Sequence, residues 1–184
     1  AGKLHDRAVQ IEQSLQQLKR LSEKLMQLAK AEGGSLLAAS PQNLLPLLVH
    51  VADELGRTST TPLELLLPQT GAVWSGIDAD AFAILLRNLL ENALKHGAAG
   101  QPVQVFLNTD LLLRISNAGP VVPAALLEQL TERFVRGSSQ AQGSGLGLAI
   151  AAAIAQGVGT RLQLASPAPG RPDGFEVTVQ LPRA

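Results

Sequence analysis

Residues 79–96 limit the folds open to this 184-residue chain more than any other segment. At about 100° per residue, Phe82, Leu85, Leu86, Leu89, Leu90, Ala93 and Leu94 fill one half of a helix. A half-circumference of apolar side chains has to be covered by another layer of structure. Asp78 stands where an N-cap belongs. The remaining face carries Asn88, Asn92 and Lys95 in one stripe, at i, i+4 and i+7.

The flanking segments supply that layer. Short apolar runs at 63–67 and 72–77 predict strands, and 103–108 with 111–116 predicts a hairpin turning at Thr109-Asp110. Further strands are expected at 161–165 and 175–181, and helices at 126–134 and 147–156. Ser40-Pro41 reads as an N-cap and first helical position for a helix reaching Gly56. Ahead of these lies a long helix over 4–31, in which Leu4, Ile11, Leu15, Leu18, Leu21, Leu25 and Leu28 recur every three, four or seven residues. So narrow a seam suits a coiled coil or bundle and seeks a partner outside this chain. Gly33-Gly34 ends it. The expected fold is α+β: a two-layer α/β sandwich, one sheet covered by helices on one face, preceded by one long helix. The expected division is 1–32 helix, 33–40 linker and 41–184 globular domain.

Composition closes off several functions. With 46% apolar and 16% charged residues, and 15 Lys+Arg against 15 Asp+Glu, nothing draws the chain to nucleic acid or anionic lipid. The absence of cysteine excludes thiolate catalysis and Cys-based zinc sites, and His5, His50 and His96 are scattered. No run of 18 apolar residues is present to span a membrane. The chain opens on Ala1-Gly2 without methionine, so it is expected to be part of a longer protein.

Four motifs carry chemistry. On helix 79–96, carboxamide oxygens are hard neutral ligands for Mg²⁺, and an ammonium one turn on can meet phosphate. Gly143-Ser144-Gly145-Leu146-Gly147-Leu148 leads straight into a helix, so its backbone amides can approach an anion. It is neither a Walker A loop nor a dinucleotide fingerprint. Ser116-Asn117-Ala118-Gly119-Pro120 ends a strand and can present one hydrogen-bonding group into a pocket. Arg133 and Arg136, three apart around Phe134, can reach phosphates.

In this order the motifs resemble the catalytic ATP-binding domain of bacterial two-component sensor histidine kinases, within the GHKL superfamily. Asn88 to His96 is similar to its N box, Asn117 to Pro123 to its first glycine box, Glu132 to Gly137 to its F box, and Gly143 to Leu148 to its second glycine box. Among subgroups the chain is most similar to QseC-like membrane sensors that partner winged-helix response regulators. The resemblance covers about residues 40 to 182, and the leading helix resembles the second helix of the family's dimerisation hairpin.

The resemblance implies the Bergerat fold, with ATP and Mg as ligands and Asn92 as the metal ligand. It implies catalytic or phosphate-side roles for Asn88, Lys95, Arg133 and Arg136. Nucleotide contacts would come from Asn88, Asn92, Lys95, His96, Asn117, Gly119, Gly143, Gly145, Leu146 and Gly147. About residues 124–144 would form a lid. The intact protein would transfer the ATP γ-phosphate to a histidine on the hairpin, for relay to a response-regulator aspartate. It would be a homodimer through that hairpin, in the cytoplasmic portion of an inner-membrane protein. The acceptor histidine is expected on a helix outside this chain, because neither His5, His50 nor His96 has the surroundings of an acceptor; this chain alone is then not expected to phosphorylate itself.

Two positions depart from the family pattern. Asn117 stands where an aspartate usually accepts from the adenine amino group, and Val121 replaces a glycine of the same box. They motivate one alternative, a dimerisation and signalling module that has lost nucleotide. Another is a GHKL ATP hydrolase, which uses a glutamate one turn before the Mg²⁺ asparagine; that position here is Asn88, a poor base.

Overall fold

A computed structural model describes residues 2–133 and 144–184, with side chains from residue 7 onward. Its elements are α1 (Gly2–Gly33), β1 (Leu37–Asn43), α2 (Leu44–Thr58), β2 (Leu63–Leu66), β3 (Trp74–Ile77), α3 (Ala79–His96), β4 (Val103–Leu107), β5 (Leu112–Asn117), α4 (Ala124–Leu127), α5 (Gly147–Gly157), β6 (Leu162–Ala165) and β7 (Phe175–Gln180).

The α+β expectation holds, with more sheet structure than a single antiparallel layer. A five-stranded sheet runs in the order β2-β4-β5-β7-β6. Its β2–β4 pair is parallel and its other pairs are antiparallel. Alternation decides which face is covered. Val103, Val105 and Leu107 on β4, Leu113 and Ile115 on β5, and Phe175, Val177 and Val179 on β7 are all buried. The intervening residues stay half-open, and among them the Arg114 guanidinium lies over the Phe106 ring, 4.2 Å from its centroid.

β1 and β3 form a separate antiparallel ribbon, Leu37 opposite Ile77 and Asn43 opposite Trp74, with an irregularity between. Pro41, which has no N–H to donate, falls within that irregular stretch. This corrects the predicted helix start at Ser40-Pro41. The helix begins at Leu44, and Asn43 is its cap: its Oδ1 accepts from Leu45 N (3.3 Å) and from Val73 N (3.0 Å). The predicted helix at 126–134 shortens to the single turn α4, and turns continue to residue 133. Phe134 lies outside the described residues.

α3 begins as predicted, with Asp78 Oδ1 accepting from Ala81 N at 3.0 Å. Ala81, Phe82, Leu85, Leu86, Leu89, Leu90 and Ala93 are buried, and the helix packs against β5, α2 and α5. α1 reaches this body only near its C-terminal end, where Leu28 and Ala31 are buried against the layer containing α5. Ile11, Leu15 and Leu18 remain more than 60% exposed, so most of the apolar seam is uncovered.

Phe82 is fully buried at the centre of this packing. Phe82→Ala is expected to destabilise the protein by about 3–5 kcal/mol, through lost transfer energy and the cavity left behind. Urea unfolding followed by circular dichroism measures this; a loss below about 1 kcal/mol would place Phe82 outside the core.

Candidate functional site

The apolar half of α3 sets the helix's rotation, and its polar stripe then rises out of the protein by degrees. Asn88 is buried at 1% exposure, Asn92 is half-buried, and Lys95 and His96 lie on the exposed last turn. The stripe is therefore not the uniform solvated face its spacing would allow. A buried carboxamide needs partners. Asn88 Nδ2 donates to Ile84 O at 2.8 Å and to Gln27 Oε1 at 3.2 Å. Its Oδ1 accepts from Lys24 Nζ at 2.6 Å, and the same ammonium donates to Glu91 Oε2 at 2.7 Å.

α5 starts beside this group. A Cβ built on Gly147 would lie 3.5 Å from Asn88 Oδ1, so the start of α5 packs directly against that carboxamide. No side chain caps α5. Gly145 has a φ of +68°, which turns the chain into the helix. Leu146 is fully buried, so only its backbone can face a ligand.

A second cluster forms where α3 ends and β5 ends. Gly97 closes α3 with its N–H on Ala93 O (2.8 Å), and a Cβ there would lie 3.6 Å from Asn117 Cβ. Asn117 is 2% exposed. Its Nδ2 donates to Ala118 O at 2.9 Å, which fixes the orientation of the amide. Its Oδ1 is buried with no hydrogen-bond partner. Gly119 sits against the His96 carbonyl and the Asn117 carboxamide. Gly174, at φ +86°, donates to Gly119 O at 2.7 Å and packs so closely on the Asn117 carbonyl that a Cβ would collide with it.

His96 completes this end. Partial burial of its ring lowers its pKa from the ordinary histidine value, and repulsion from the Lys95 ammonium lowers it further. Arg133 is exposed and forms an ion pair with Glu32 at the end of α1. Arg136 and Gly143 lie outside the described residues. Lys24, Gln27 and Gly174 escaped sequence reasoning, and Glu91 entered it only as a member of the 88–96 motif. Of these only Gly174, before the last strand, carries a local signal. Arg20, Glu23, Lys24, Gln27, Arg87 and Glu91 line a polar cleft of about 520 Å³ between α1 and α3. Among the described residues, no cluster of three or more His, Cys, Asp or Glu is placed to hold a metal.

Residues 77–184, more than half of the chain, match the family described as "Histidine kinase-, DNA gyrase B-, and HSP90-like ATPase". The chain belongs to that family. The match spans α3, the five-stranded sheet's β4 to β7, the Asn117 cluster and the α3 and α5 side of the Asn88 cluster, while Lys24 and Gln27 on α1 lie outside it. The chain is 32% identical over 147 residues to the sensor protein kinase PmrB of Pseudomonas aeruginosa, covering 77% of this chain and 31% of that one. It is 33% identical over 128 residues to the probable sensor histidine kinase TcrY of Mycobacterium tuberculosis, covering 67% and 27%. The chain thus spans under a third of the length of these relatives. Among solved structures, the mycobacterial sensor histidine kinase MprB superposes with a TM-score of 0.70 at 25% identity, over 78% of this chain and 97% of that one. The cytoplasmic segment of the histidine kinase QseC superposes with a TM-score of 0.58 over 92% of this chain and 95% of that one, and at 21% identity it speaks to the fold alone. This ATP-binding fold is of the sensor histidine kinase type.

The crowding at His96 has a measurable sign. In an NMR titration its ring is expected to titrate below about 6.5, the ordinary value. Lys95→Ala should raise that midpoint, because removing a like charge favours the imidazolium. A midpoint that stays put in the variant would remove Lys95 as a cause.

Proposed function

We propose that this chain is the ATP-binding kinase region of a sensor histidine kinase, with part of the second dimerisation helix at residues 1–32, a linker at 33–40 and the catalytic domain at 41–184. The observation that carries the reading is the buried, unpaired Oδ1 of Asn117. An orphaned acceptor costs free energy unless something donates to it. An adenine amino group is such a donor. The Asn88–Gly147 contact lies eight residues back along α3, about 12 Å at 1.5 Å per residue. Base and terminal phosphate of one extended nucleotide are separated on that scale.

On this reading Asn92, on the half-buried part of the stripe, is the Mg²⁺ ligand. Mg²⁺ is commonly held by one or two protein oxygens together with phosphates and waters, so a lone carboxamide fits where a protein-only cage does not. The ion would neutralise phosphate charge when bound. The protein residues bind and orient: Asn88, Lys95, Arg133 and Arg136 on the phosphate side, His96 and Gly119 near the base, and the amides of Gly143, Gly145, Leu146 and Gly147 around the phosphates. Phosphoryl transfer is mostly positioning and charge neutralisation, which these groups supply. The phosphate acceptor is a histidine on another helix of the intact homodimer, and a response-regulator aspartate receives it next. Asn88 is no general base, which favours transfer to a histidine over hydrolysis. Among the described residues no helix is long and apolar enough to cross a membrane. Relation to sensor kinases supports a place in the cytoplasmic portion of an inner-membrane protein.

Calorimetry with Mg·ATP tests the reading. Asn92→Ala is expected to weaken binding by about 1–3 kcal/mol, roughly 5- to 150-fold. Equal binding by both proteins would remove Asn92 from the site.

Asn117→Leu separates the base contact from structure. Leucine keeps the shape and discards the orphaned acceptor, while Ala118 O keeps its bond from Ala98 N (2.8 Å). The empty variant should melt roughly 2–4 °C higher, and bind ATP about fivefold more weakly. An unchanged ATP affinity would place the adenine elsewhere.

A further inference from the structure

α1 runs antiparallel to α3 and engages it through long side chains. Lys24 meets Asn88 and Glu91, Gln27 meets Asn88, and Lys30 meets Asp80 at 3.0 Å. Glu32, at the end of the same helix, holds Arg133. α1 therefore occupies two of the groups assigned above to the phosphate side of a nucleotide.

We propose that α1 is a latch on the nucleotide site: its Lys24 and Glu32 hold Asn88 and Arg133 in an α1-bound arrangement that Mg·ATP has to displace. The proposal rests on the phosphate-side assignment of those two residues.

The chemistry of competition is direct. The Lys24 ammonium sits between Asn88 Oδ1 and Glu91 Oε2, where its side chain is 19% exposed and its bonds are only lightly screened. An Asn88 carboxamide whose oxygen is held by Lys24 and whose amide is held by Gln27 is not free to turn toward the phosphate side of a bound nucleotide. The Arg133 guanidinium is turned toward Glu32, which brings negative charge to where a triphosphate would be. The latch is also built to let go. Its apolar support on α1 is confined to Leu28 and Ala31 with partly buried Leu21, while Leu15, Leu18 and Leu25 face solvent. Gly33 is the helix's last residue, where a Cβ would meet nothing within 4 Å, and Gly34 follows it with its N–H on Lys30 O at 2.8 Å. That gives a hinge between α1 and the globular body.

The test uses the whole 184-residue chain, with Lys24→Gln and Glu32→Gln as two separate variants, so that misfolding of one does not decide the outcome. Calorimetry should give each variant a Mg·ATP affinity about three- to tenfold above wild type, because a larger share of molecules is already open. Amide hydrogen exchange supplies a readout independent of affinity. Wild-type residues 20–32 should exchange faster when Mg·ATP is added, and Lys24→Gln should exchange faster before any is added. Equal or weaker binding by both variants, with binding by wild type intact, would overturn the latch alone and make Lys24 a bystander or a phosphate ligand. Slower exchange of 20–32 on adding nucleotide would overturn it too. Failure of all three proteins to bind Mg·ATP would sink the nucleotide-site reading, and the latch with it.

Discussion

The burial of one half of α3 is the constraint on which the rest of the molecule turns. Phe82, Leu85, Leu86, Leu89 and Leu90 are at most 1% exposed between the sheet and the neighbouring helices. Such packing leaves no freedom of rotation about the helix axis. Asn88, Asn92, Lys95 and His96 are thereby aimed without any dedicated device. The same contacts bring the start of α5 to Asn88 and the end of β5 to the last turn of α3. Two remote stretches of chain reach one helix face because hydrophobic packing put that face there. Groups held this way lose little entropy when they engage a ligand.

The two buried carboxamides differ in a way that matters. Asn88 has every polar atom bonded, three of its partners arriving through side chains or backbone close by in space. Asn117 has its amide committed to Ala118 and its oxygen left alone. Native interiors seldom tolerate the second situation, and where they do a ligand is one explanation. Around Asn117 the backbone is held from two sides, by the Gly97 turn and by the Gly174–Gly119 bond. The oxygen cannot simply swing away to find relief.

Much of this was legible in sequence where the determinant is local. α3 could be placed from its periodicity and its Asp78 cap, and the central hairpin from alternation around a turn. Asn117 could be picked out as a polar residue ending a strand. What failed locally depends on distant partners. Asn43 caps α2 while also binding Val73, thirty positions on, and nothing near Asn43 announces that second bond. Ser40-Pro41 offered the more familiar cap pattern and was outcompeted by pairing with β3. The parallel β2–β4 pair joins segments about forty residues apart. Lys24 is one of several cations on the flanks of an amphipathic helix, and its contact with Asn88 crosses 64 positions. Burial of Asn88 itself is a tertiary fact, since the i+4 stripe is compatible with either solvent or protein.

α1 is 32 residues long, about 48 Å at 1.5 Å per residue. Only its last third touches the body, and residues 7–20 are exposed throughout. Mechanically this is a lever with a short arm inside the protein and a long arm outside. A twist of one helical position, about 100°, would carry Lys24 from the α3 side of the axis toward solvent. A rotation of that size imposed on the exposed arm would exchange the partner of Asn88, with no need for the globular body itself to deform.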